Sequence, residues 1–247
     1  MTIRFFWRCE SETLDPVHDY SAGDITATSA ESASLAAGAG MVGGSGLLTG
    51  LRLTGTFGPR YTFAMPGLCN PSVGSIGFLV RAMALPTAPA ASLKFVGLYG
   101  VGSFNWIEVT AETDGFVYLE HSENTGQTNT DIFTQTNVLT EVGAQYGIVA
   151  RWDAGNSRRS LEIYSKSGAL LHNYTETTKF SQYVPTELND EMWIGGGDIG
   201  TYNSDVHLDN VFVSDAYDEP IQENFRITSF TEYDAARRRR ILMGRAA

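Results

Sequence analysis

The chain has 247 residues, 43% of them hydrophobic, with 26 glycines and a formal net charge of −11. One all-β sandwich fills that length, and no apolar run approaches the roughly 20 residues that a bilayer span needs. The acidic balance repels nucleic acid and anionic membranes, which confines any such contact to the basic C-terminal end.

Residues 3–9 read as an opening strand; they lack the apolar core and small-residue cleavage site of a secretory signal. Residues 21–50 are rich in Ala, Gly and Ser and resemble the glycine-containing loop that enters the second strand of laminin G-like domains. Residues 60–65 form a strand closed by Pro66. Residues 75–85 alternate well, with Ile76, Phe78, Val80 and Ala82 on one face and Gly77, Leu79, Arg81 and Met83 on the other. Further strands are expected at 93–99, 106–111, 116–121, 146–153, 160–165, 170–175, 192–194 and 206–214, with turn signals between them. In the last of these, Leu208 falls out of phase with Val211 and Val213 by one residue. A β-bulge at Asp209–Asn210 restores a common inward face.

Two cysteines, Cys9 and Cys69, are too few for a disulfide framework and read as buried thiols, with one bridge between them left open. The four histidines (His18, His121, His172 and His207) are dispersed and give no zinc spacing.

The hairpin 106–121 carries the strongest chemical pattern. Its turn, Thr113-Asp114-Gly115, suits a three-residue loop with Gly115 left-handed. That register sets Glu108 opposite Glu120 and places Ile107, Val109, Ala111, Val117 and Leu119 on the core face. The other face carries Trp106, Glu108, Phe116, Tyr118 and Glu120. Aromatic rings stack on pyranose faces and carboxylates accept from hydroxyls, so this face is a candidate glycan-binding surface. Opposed carboxylates repel, so the pair needs a cation, a shared proton or an arginine. The plain alternative is a sheet surface with both acids solvated.

The central pair 146–165 (Tyr-Gly-Ile-Val-Ala-Arg-Trp-Asp, then Arg-Ser-Leu-Glu-Ile-Tyr) and the closing stretch 191–214, with its glycine turn and Asp-Asn step, resemble the concanavalin A-like jelly roll. Legume lectins, laminin G-like domains and many glucanases share that fold. The resemblance covers roughly residues 3–214. It implies an all-β, two-sheet antiparallel sandwich at 1–219, followed by a short extension at 220–247. The glucanase strings E-x-D-x-x-E and E-x-D-x-E are missing here, as are the strand motifs of the lyase relatives, so no catalytic residue and no cofactor is expected. Lectin relatives hold calcium with loop carboxylates. Asp198, Asp205 and Asp209 bracket a loop, but calcium takes 6–8 oxygens, and no metal site is assigned. Asn173-Tyr174-Thr175 matches a glycosylation acceptor.

The extension is basic: six of the 17 basic residues lie in 226–247, against only Glu232 and Asp234 among the acids. Arg237, Arg238, Arg239 and Arg240, followed by Ile241 and Leu242, are the expected partner-docking residues, although the same segment suits its own acidic body. Resemblance to the lectin-like modules of tailed bacteriophages implies a non-enzymatic structural or attachment component. It would be a capsid decoration or tail appendage, homo-oligomeric, held to other assembly proteins through the extension and located in a virion assembled in the host cytoplasm. The alternative is a carbohydrate-binding module for cell-surface glycans; a glycan hydrolase or lyase stands third.

Overall fold

Two stacked antiparallel sheets account for the alternating apolar pattern. The computed structural model describes residues 3–7, 17–18, 24–25, 27–31, 33–37, 49–55, 60–64, 69–84, 92–100, 105–112, 115–122, 130–133, 141, 143–177, 185, 188, 191–196 and 204–218. Within 3–55, 82–84, 92, 130–131, 133 and 204–205 the description is of the backbone. Residues 220–247, with Arg237–240, Ile241 and Leu242, lie outside it, as do Cys9 and Asp198.

Among the described residues every regular element is a strand. In chain order these are β1 (Ile3–Trp7), β2 (Val17–His18), β3 (Asp24–Ile25), β4 (Ala27–Glu31), β5 (Ala33–Ala37), β6 (Thr49–Gly55), β7 (Arg60–Ala64), β8 (Val73–Ala84) and β9 (Ser92–Tyr99). They continue as β10 (Trp106–Glu112), β11 (Val117–Ser122), β12 (Thr130–Phe133), β13 (Gln145–Asp153), β14 (Arg158–Ser165), β15 (Leu170–Glu176), β16 (Glu191–Gly195) and β17 (Ser204–Ser214). One sheet runs β15-β14-β13-β8-β17-β6-β5, with β1 also beside β17. The other runs β12-β11-β10-β9-β16-β7-β4, and β2 pairs β3 separately. All these pairings are antiparallel.

The stretch 21–50 departs from its reading as a loop. It contains β4 and β5, which pair with β7 and β6 at the ends of the two sheets. Main-chain ladders need no bulky side chains, so Ala-Ser sequence serves at an edge where only one neighbour is to be matched. The short strand β12 was likewise not expected from the sequence.

The inner faces meet as the alternation requires. Ile76, Phe78 and Val80 of β8 pack with Ile148, Ala150 and Trp152 of β13 from one sheet, and with Phe95, Val109 and Ile194 from the other. Phe78 and Phe95 bridge the sheets with ring centroids 5.2 Å apart. Fully burying side chains of this size contributes about 1.5–3 kcal/mol each. Trp152 fits because it lies across Gly74, where a Cβ would come within 2.5 Å of the indole, and its Nε1 donates to the Asn70 carbonyl at 3.1 Å.

In β17 the expected bulge is present. Asn210 has φ +50° and the register against β8 shifts between Asp209 and Phe212. The Asp209 carboxylate accepts the Asn210 N–H at 2.8 Å. Leu208, Val211 and Val213 all become wholly buried in the core as a result. Phe212 then points to the opposite face, where it lies over Gly77.

After β17 the chain turns back onto the outer face of the eight-stranded sheet. Ser75 Oγ donates to the Ala216 carbonyl at 3.0 Å, and the Arg151 guanidinium donates to the Tyr217 carbonyl. Arg158 stacks 3.8 Å from the Tyr217 ring centroid. Arg151 is held in turn by both oxygens of Glu162, each at 3.2 Å.

Candidate functional site

The hairpin β10–β11 forms in the register read from the sequence. Gly115 has φ +81°, its N–H donates to the Glu112 carbonyl at 3.0 Å, and Glu112 N–H donates to Phe116 O at 3.2 Å. Glu108 stands opposite Glu120, while Ile107, Val109, Ala111, Val117 and Leu119 are all buried in the core. Trp106, Tyr118 and Glu120 are half-buried on the outer face; Phe116 is half-buried beside the turn, at the end of the same hairpin.

Glu108 is not solvated: only 4% of its surface is exposed. The cation that the opposed acids need comes from β9, whose Lys94 Nζ lies 2.8 Å from Glu108 Oε2. Tyr99 Oη donates to the same oxygen at 2.8 Å, and Thr110 Oγ1 donates to Glu120 Oε1 at 2.8 Å. Each carboxylate is therefore tied to a neighbouring strand, which offsets the repulsion between them.

The site extends beyond the hairpin across β9, β16 and β7. A bulge in β9 turns both Phe95 and Val96 inward, leaving Lys94, Gly97 and Tyr99 on the outer face. Gly97 is required there: a Cβ would meet the Tyr99 ring at 2.6 Å, so the ring folds back over the bare backbone. Trp193 of β16, paired with Gly97, fills the other side. The Tyr99 and Trp193 centroids lie 4.4 Å apart at 39°. Trp193 Nε1 donates to Glu191 Oε2 at 2.8 Å, and Arg60 of β7 covers the indole at 3.9 Å. Trp106 lies directly across from Tyr99. Arg60, Trp193, Tyr99 and Lys94 escaped the sequence reading because their adjacency depends on sheet order. The available signal was Trp193 itself, an aromatic placed outward between the core residues Met192 and Ile194.

Elsewhere among the described residues, several polar groups are tied into the fold. Between the sheets, Arg159 is 1% exposed; its Nη1 donates to His121 Nδ1 at 3.0 Å and its Nε donates to Glu176 at 2.7 Å. Burial, reinforced by the Arg159 charge, lowers the His121 pKa to about 3, so the ring is neutral. His207 Nδ1 accepts from Arg81 at 3.1 Å. Of the residues weighed for calcium, Asp209 is 3% exposed and committed to the bulge; among the described residues no three His, Cys, Asp or Glu side chains converge on a metal position. Asn173 is exposed on β15.

The fold defines the class: an all-β, two-sheet antiparallel sandwich of the jelly-roll kind. No family model matches the chain, and no curated protein does. Among solved structures it is similar to the binding domain of Paraclostridial Mosquitocidal Protein 1, with 13% identity and a TM-score of 0.64 over 91% of this chain and 51% of that one. It is similar also to the binding domain of botulinum neurotoxin DC in complex with SialylT, with 10% identity and a TM-score of 0.63 over 94% and 52%. A third is the ligand binding domain of botulinum neurotoxin serotype D in complex with N-acetylneuraminic acid, with 8% identity and a TM-score of 0.63 over 92% and 50%. The chain spans about half the length of these structures, and at such identities the likeness is one of fold.

Proposed function

We propose that the chain is a non-enzymatic, lectin-like module that binds carbohydrate across the outer face of the seven-stranded sheet. The observation that carries this reading is the Tyr99–Trp193 ring pair, seated over Gly97 and bordered by Arg60 on one side and the Lys94–Glu108 pair on the other. Rings held this firmly lose little entropy on binding, and the part of each left exposed gives apolar contact to the C–H groups of a sugar. The half-buried carboxylates of Glu120 and Glu191 supply acceptors at the margin. Trp106 and Tyr118 extend the platform along β10 and β11. At about 4.8 Å between strands, five adjacent strands make it roughly 19 Å wide, which suits several linked sugars rather than one.

Similar toxin binding domains solved in complex with SialylT and with N-acetylneuraminic acid support the same direction. Attachment to a virion through residues 220–247 draws on a segment outside the described residues, so carbohydrate binding is the better-supported reading. Titration with oligosaccharides, followed by tryptophan fluorescence, is the test. Trp193→Ala is expected to weaken binding by roughly 10- to 100-fold, the range of a central aromatic anchor. Full affinity in that variant removes this face as the binding site.

A further inference from the structure

We propose that the ligand of this platform is an uncharged oligosaccharide, and that acidic sugars are turned away. This rests on the reading of the face given above and names its ligand class. Three carboxylates border the rings, Glu108, Glu120 and Glu191, against two cations, Lys94 and Arg60. Both cations have assigned work within the face. Lys94 Nζ sits 2.8 Å from Glu108, with both side chains largely buried at 13% and 6% exposure. Arg60 sits over the Trp193 indole, its guanidinium carbon 3.9 Å from the ring centroid. A sugar carboxylate or sulfate arriving at the rings would have to pull Lys94 from Glu108, stranding a buried charge, or settle beside acids that repel it.

Hydroxyls meet the opposite situation. Ionised carboxylates are acceptors only, so the margin of the face calls for donors from the ligand. Sugar hydroxyls are donors without charge. The rest of the molecule adds to the bias, since the chain as a whole carries −11 and its field repels anions before contact. The inference therefore separates this chain from the similar serotype D domain, whose ligand, N-acetylneuraminic acid, is an acidic sugar.

The experiment uses the full chain and two sets of probes. Cellohexaose, maltohexaose and laminarihexaose are the neutral set; 3′-sialyllactose and a hyaluronan hexasaccharide are the acidic set. Calorimetry on the unaltered protein, Trp193→Ala and the milder Trp193→Phe gives the affinities, with near-ultraviolet circular dichroism confirming that each variant is folded. The expected result is saturable binding of at least one neutral probe, at least about tenfold tighter than either acidic probe. Trp193→Ala should weaken it by roughly 10- to 100-fold, Trp193→Phe by less, and added salt leave it unchanged. If an acidic probe binds as tightly as the neutral ones and loses its affinity in Trp193→Ala, the charge inference is overturned while the platform stands. Undiminished binding of any probe in Trp193→Ala overturns the platform and the inference together, as does the absence of binding by every probe.

Discussion

Gly97 is the residue on which the platform turns. Its backbone accommodates alanine, since its φ is not in the left-handed region, but an added methyl would meet Tyr99 at 2.6 Å. Gly97→Ala is therefore expected to swing the Tyr99 ring off Trp193, to cost roughly tenfold in sugar affinity, and to cost about 1–3 kcal/mol of stability as the buried Glu108 loses the Tyr99 hydroxyl. Paired calorimetric and denaturation measurements check both halves of that statement. Glu108 poses the reverse case. Replacing either Lys94 by Met or Glu108 by Gln leaves the partner's charge buried, with an expected loss of about 3 kcal/mol. The two changes together should cost clearly less than their sum, and a double-mutant cycle in urea measures the difference.

At the scale of the strand, β17 shows what a local irregularity accomplishes. Asn210 in the left-handed region lets Leu208 and Val211 share a face, and asparagine tolerates that conformation where β-branched residues do not. Asn210→Gly should be near neutral, whereas Asn210→Val should cost about 1–2 kcal/mol and raise amide exchange along β17 and its neighbour β8. This bulge was legible in the sequence because two apolar runs of period two failed to join. The hairpin β10–β11 was legible for a related reason: its turn residues and its alternation fixed one register. By contrast β4 and β5 are built from Ala and Ser and carry no periodic signal; only their pairing with β7 and β6 makes them strands. Half of the platform was hidden for a third reason. Trp193 of β16 lies far along the chain from Lys94 and Tyr99 of β9, and nothing local states that β9 lies between β10 and β16.

For the molecule as a whole, the buried His121–Arg159–Glu176 group couples stability to pH. The folded protein holds His121 neutral down to about 3, while in the unfolded chain it takes up a proton near 6.5. Its contribution is therefore fully present above about pH 6.5 and is lost as pH falls through the window below, at about 1.4 kcal/mol per unit. Urea midpoints should fall between pH 6.5 and 5, where carboxylates are still ionised. His121→Gln, which retains an acceptor for Arg159, should flatten that slope; an unchanged slope would show that the acid sensitivity lies elsewhere. The segment after β17 carries a different consequence. Ala216 and Tyr217 are fastened to Ser75 and Arg151 on the back wall of the sandwich, and the stacked rings look out from the front. A bead or second protein joined at Asp218 itself would therefore sit behind, holding the molecule like a badge, with the sheet face that carries Tyr99 and Trp193 turned outward.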